Sequence, residues 1–302
     1  MLEFHTLDVF TTQPFAGNPL AVVLGAGGLT PGQMQAMARE FALSETIFVA
    51  PADDPAHAAR VRIFTPASEL PFAGHPTIGC AVLLAGTAQG AGDFDATLVL
   101  EEAAGMVPVT VSRRGDVTEA EFTAPVIPHA APGAAPPALV ARALDLAPDD
   151  LGFGHHRIAL WQGGVGYLYV PVASLDALAR AWPLEPHWSD LMDRAGVDSA
   201  YLYTPGVGVD FQARLFGFGS GIFEDPATGS AAAILAAQLR ASRALPPGPQ
   251  VFALAQGVEM GRPSTMWLTV EHGPDGIEAV RIKGAAVPVA SGRIAVPQGR
   301  AE

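Results

Sequence analysis

The sequence predicts an α+β chain built from two similar halves. Three observations carry this. Short β-branched and aromatic runs outnumber helical patterns, they follow one another too often for a doubly wound sheet, and a strand–loop–helix unit recurs about half a chain apart.

In the first half the expected strands lie at residues 2–9, 20–24, 47–49, 61–64, 97–100 and 107–111. Each is short and rich in Val, Ile, Leu or Phe, as a partly buried strand requires. Between the second and third, Thr30-Pro31 supplies an N-cap and a proline at the first helical position. Met34, Met37, Ala38 and Phe41 then recur with helical period. After a Pro/Ala-rich stretch at 130–138, strands are expected at 167–170, 201–203, 211–216, 251–254, 266–270 and 277–282.

The recurrence is specific. Arg62-Ile63-Phe64 leads into a loop ending Phe72-Ala73-Gly74-His75, then a helix expected to open at Pro76-Thr77-Ile78-Gly79. Arg214-Leu215-Phe216 leads into Phe223-Glu224-Asp225-Pro226-Ala227, then a helix expected to open at Thr228-Gly229-Ser230-Ala231. A duplication on this pattern puts a boundary just after Gly115-Asp116. Residues 1–117, joined by the C-terminal strand at 285–302, form one domain, and residues 118–284 form the other.

Composition narrows the chemistry. The chain has 302 residues, 49% of them apolar, and a formal net charge of −13. That charge argues against a grip on nucleic-acid phosphates. No apolar run approaches the roughly 20 residues of a membrane span, and the start of the chain has no signal-peptide pattern, so a cytoplasmic protein without membrane association is expected. Cys80 is the only cysteine, which excludes an internal disulfide and a cysteine-based zinc cage. Lys283 is the only lysine, and it lies in a strand-like stretch that suits a pyridoxal Schiff base poorly. The phosphate-loop, zinc-helix and serine-elbow motifs are missing. His155-His156 lacks a third ligand at recognisable spacing and reads as an exposed pair. No metal and no organic cofactor are expected.

The two expected helix starts are candidate anion sites, because the first turn of a helix presents unpaired N–H groups and a partial positive charge. Gly74, Gly79, Gly229, Ser230 and Ala231 keep those turns thin; plain helix packing explains them equally well. His75 can shuttle a proton near neutral pH or simply brace its loop. Asp225 can act on a ligand or serve as an N-cap. Glu45, in Ser44-Glu45-Thr46, has apolar sequence neighbours that would raise its pKa if they buried it. Local sequence alone favours a solvated charge at a helix end.

These segments resemble the phenazine-biosynthesis PhzF-like isomerases. The matching runs are Asp8-Val9-Phe10, Phe15-Ala16-Gly17-Asn18-Pro19, Ser44-Glu45-Thr46, Glu69 to Gly79, Gly221 to Ala231, and Gln256-Gly257 with Gly261-Arg262-Pro263. The resemblance implies a diaminopimelate-epimerase-like fold of two pseudo-symmetric domains, each a mixed β-sheet curled around a central helix. It also implies an active site between the domains and a homodimer. By position it makes Glu45 the catalytic carboxyl, with His75 and Asp225 as catalytic partners and Asn18, Ser44, Gly74, Gly229 and Ser230 in the substrate pocket. The expected activity is cofactor-independent isomerisation of a small carboxylic acid. Racemases of this fold use two cysteines, which this sequence lacks. Two readings compete: a non-catalytic binder of small acids, and a two-base epimerase using Glu45 and Asp225.

Overall fold

The protein is described from a computed structural model over residues 1–217 and 223–298. Gly221 of the second glycine-rich motif therefore lies outside the described residues. Contacts divide the chain into two units, Met1–Pro125 with Lys283–Glu302, and Val126–Ile282.

The first unit contains β1 (Leu2–Val9), β2 (Asn18–Val23), α1 (Pro31–Phe41), β3 (Glu45–Ala50), β4 (Ala59–Phe64), β5 (Glu69–Leu70), α2 (Gly74–Gln89), β6 (Phe94–Glu102), β7 (Gly105–Arg114) and β8 (Val117–Thr123). Pairing runs β1·β2 antiparallel, β2·β3 parallel, β3·β4 antiparallel, β4·β6 parallel, then β6·β7 and β7·β8 antiparallel. The last strand of the chain, Gly276–Ile294, pairs with β8 and with β1, so the sheet closes on itself as a barrel. Gly115-Asp116, where the sequence suggests a boundary, is the turn of the β7–β8 hairpin.

Thr30 caps α1 as expected, its hydroxyl accepting from Gln33 N while the Gln33 side chain accepts from Thr30 N. Met34, Met37 and Ala38 are its buried face. In contrast, α2 is buried on nearly every side of its first half and packs against β1, β2, β3, β6, β7 and β8. Its sequence, Ile78, Cys80, Ala81, Val82 and Ala85, is apolar all round, as a helix enclosed by sheet must be. Close approach requires Gly79, where a Cβ would lie 2.5 Å from Leu20 and 2.8 Å from Val9.

The second unit contains β9 (His129–Ala130), α3 (Pro137–Ala143), β10 (Ala159–Gln162), β11 (Gly166–Pro171), α4 (Leu175–Arg180), α5 (His187–Ala195), β12 (Ser199–Pro205), β13 (Phe211–Gly217), β14 (Glu224–Asp225), α6 (Gly229–Ala241), β15 (Gly248–Gln256) and β16 (Ser264–Gly273), followed by β17 (Gly276–Ile294). Here β10·β11 is antiparallel, β11·β12 parallel, β12·β13 antiparallel, β13·β15 parallel and β15·β16 antiparallel. A second core, centred on Trp188, Leu191, Leu168, Leu202 and Phe216, seats α3, α4 and α5 on this sheet. The histidine pair is not exposed as a whole: His156 is buried with Nδ1 2.8 Å from the Tyr203 hydroxyl, because its ring stacks on Phe153.

Candidate active site

In the first unit the fold brings three predicted residues together. Asn18 opens β2 and Glu45 opens β3, and the parallel register Leu20↔Glu45 puts both at the same end of the sheet. The loop before Asn18 is fixed by Asp8, whose buried carboxylate accepts from Phe15 N at 2.6 Å. Gly17 follows with φ 68°, a conformation glycine adopts without strain, and a Cβ there would collide with Val9 O at 2.3 Å. Ser44 is buried immediately before β3.

α2 starts at Gly74, two residues earlier than the sequence suggests, because Pro76 tolerates the first turn of a helix and does not have to begin it. His75 is therefore part of the helix. Its Nδ1 is 3.3 Å from Glu45 Oε2 and 3.3 Å from Asn18 Nδ2. His75 is 3% exposed and Asn18 is fully buried, whereas the Glu45 side chain keeps 16% of its surface. Oε2 is buried against the histidine, so the accessible part of Glu45 lies on its other atoms. Burial lowers the His75 pKa to about 3, so the ring is neutral near pH 7. As a neutral ring with Nδ1 unprotonated, His75 accepts from the Asn18 amide, and the 3.3 Å approach to Glu45 Oε2 is a close contact.

In the second unit Asp225 closes β14 and accepts from the Thr228 hydroxyl at 2.5 Å. Gly229 and Ser230 begin α6. Ser230 Oγ lies 2.8 Å from the Tyr167 hydroxyl, and Tyr169 donates to Ala231 O at 2.6 Å, so β11 ties down the first turn of α6. Gln256, fully buried at the end of β15, accepts from Thr228 N at 3.2 Å and donates to Asp225 O at 2.8 Å and to Thr228 Oγ1 at 3.0 Å. In the sequence Gln256 stands out only as part of the Gln256-Gly257 motif, with no role attached. Its signal was a lone amide ending an apolar strand.

Residues 7–292 match the profile of the phenazine biosynthesis-like proteins, PhzC-PhzF. The chain belongs to that family. An uncharacterized isomerase of Mesorhizobium japonicum is 46% identical over 297 residues, covering 95% of this chain and 96% of the relative. The trans-2,3-dihydro-3-hydroxyanthranilate isomerase of Pseudomonas aeruginosa is 36% identical, covering 97% and 99%. The crystal structure of a PhzF-family protein from Bacillus anthracis aligns with a TM-score of 0.85 at 25% identity, over 98% of this chain and 99% of that one. The PhzF-type chain is thus an isomerase, with the barrel-forming mixed sheet of that fold. No helix among the described residues is long and apolar enough to cross a membrane.

Proposed function

We propose that this PhzF-type isomerase moves a proton on a small carboxylic acid, with Glu45 as the group that takes and returns it and with no organic cofactor. The observation that supports this most is the placement of Glu45 Oε2 at 3.3 Å from a buried, neutral His75 while the Glu45 side chain as a whole keeps 16% of its surface exposed. A carboxylate in that position lies against the buried ring on one side while its side chain keeps some exposed surface. His75, itself held by Asn18, packs against it and fixes its position. For the second unit, we propose that Asp225, Gly229 and Ser230 form a ligand-holding turn of their own. We also infer that the units are copies of one pattern, each a sheet curled around its buried helix, α2 or α6; the matching order of parallel and antiparallel pairings supports this.

The substrate class follows from the named relative: a cyclic acid with an adjacent amino-diene, or a close analogue. The test is deuterium wash-in by NMR with a panel of such acids in D₂O. Exchange at a ring carbon is expected with wild type, and Glu45→Gln should lower turnover by about 10²–10⁴-fold while leaving the fold intact. Glu45→Gln turning over within tenfold of wild type would remove Glu45 from this role. Spectral shifts without exchange would favour a binding protein.

A further inference from the structure

Glu101 and Glu102 are adjacent at the end of β6, with opposite surroundings. The Glu101 carboxylate accepts from Asp53 N, Asp54 N and His57 at 2.7–2.9 Å, which lowers its pKa to about 2. Glu102 packs against α2, where it is 8% exposed and, among the described residues, hydrogen-bonds with the Thr77 hydroxyl at 2.7 Å. Its Oε2 is buried and has no hydrogen-bond partner among the described residues.

The Thr77 hydroxyl decides the protonation state. It lies 2.8 Å from Ala73 O as well as 2.7 Å from Glu102 Oε1. A hydroxyl has one hydrogen, and a carbonyl only accepts. If Thr77 donates to Ala73 O, the contact with Glu102 is a hydrogen bond only when Glu102 carries the proton and donates it. If Thr77 donates to an ionised Glu102, two oxygens face each other at 2.8 Å with no hydrogen between them.

The second unit builds the same contact with an amide. Glu102 ends β6 and Gln256 ends β15, and these strands run parallel to β4 and β13 at matching registers, Arg60↔Glu101 and Gln212↔Ala255. Gln256 Nε2 donates to the Thr228 hydroxyl, which donates onward to Asp225. In the second unit the strand-end residue is thus the donor to the threonine at the helix start.

We propose that Glu102 is held as a neutral acid that donates to Thr77, bracing the first turn of α2 and so positioning His75 against Glu45. Burial supports this by raising its pKa to about 8. Among the described residues that line its surroundings, each cation is already paired with another carboxylate. On α2, Cys80 is a buried thiol raised further by burial and then by Glu102 itself. Glu102 also lines a cavity of about 760 Å³ in which Arg60 is paired with Asp53, Arg62 with Glu69 and His57 with Glu101. Across from it β7 contributes Met106, which does not titrate.

The effect on catalysis rests on the Glu45 reading; the protonation state does not, so the two fail separately. In wild-type protein labelled with ¹³C at the glutamate carboxyl, the signal absent from Glu102→Gln should titrate with a midpoint near pH 8. A midpoint below 5 overturns the proposal. Thermal unfolding gives a second reading, because folding must keep Glu102 protonated while the unfolded chain ionises above 4.5. Wild type and Glu102→Gln should melt close together near pH 4.5, with the variant's advantage widening up to about pH 8; parallel curves overturn the proposal. With an acid that turns over, Glu102→Gln should stay within a few-fold of wild type at pH 7 and lose the decline in kcat above pH 8, whereas Glu102→Ala should fall about tenfold. Full activity in Glu102→Ala at every pH removes the positioning role. If the titration and melting results hold but no acid exchanges, the isomerase assignment of Glu45 fails and the neutral acid stands.

Discussion

The two helix starts, one in each unit, share a topology and differ in chemistry. At α6 every strong partner is settled: Gln256 supplies an amide, Thr228 relays it to Asp225, and two tyrosines of β11 hold the turn. At α2 the corresponding positions hold titratable groups in a dry environment, a histidine lowered to about 3 and a carboxyl raised to about 8. The arginines that begin the repeat differ in the opposite sense. Arg214 is almost fully buried, pairs with Glu224 and donates to the carbonyls of Leu178, Ala179 and Ala181, while Arg62 shares a partly exposed pair with Glu69. At its helix start the second unit thus uses hydrogen bonding among fixed donors and acceptors, and the first uses groups whose protonation depends on burial.

The largest expected effect on stability separates the arginines. Arg214→Ala strands the Glu224 carboxylate in the interior and should cost about 3–5 kcal/mol in urea unfolding. Arg62→Ala, whose side chain is 32% exposed, should cost at most about 1 kcal/mol. Equal losses would break the contrast. Next, Gln256→Ala leaves Asp225 O, Thr228 N and Thr228 Oγ1 without this partner and should cost about 1–3 kcal/mol. Gln256→Glu should be tolerated at low pH and penalised as pH rises, which would turn the second brace into a copy of the first. Smallest near neutral pH, and growing only in acid, is the His75 effect. Below its ordinary 6.5 the unfolded chain takes up a proton that the folded chain refuses until about 3, so stability falls with falling pH, by up to about 1.4 kcal/mol per unit. Glu102 acts with opposite sign, losing stability as pH rises from 4.5 to about 8. Their slopes should oppose each other between 4.5 and 6.5, and His75→Gln should flatten only the acid side. A variant curve parallel to wild type would show that His75 is not buried as a neutral ring.

Much of this was legible in the chain. The run at 2–9 matches β1 and the run at 61–64 closes β4, because strand-forming side chains of that length and spacing need little tertiary help. Thr30-Pro31 read correctly as a helix start because capping is a local hydrogen bond. Of the site, Glu45 and His75 were visible as types at suggestive places. Their 3.3 Å approach was not, since it depends on the parallel β2·β3 register and on a helix beginning at Gly74. β8 and the helices α3, α4 and α5 escaped because Val117–Thr123 carries mixed polarity and the helical stretches are short, so packing on the sheet sustains them.

By itself the sequence determined the strand-rich α+β character, the recurrence of an arginine-strand, loop and helix start, and the absence of a cysteine pair for two-thiol chemistry. Tertiary structure alone decided which of two neighbouring glutamates is an anion and which a neutral acid. Glu101 and Glu102 have the same intrinsic acidity; adjacent strand positions face opposite sides, and only the fold places backbone N–H groups on one side and an enclosed helix on the other.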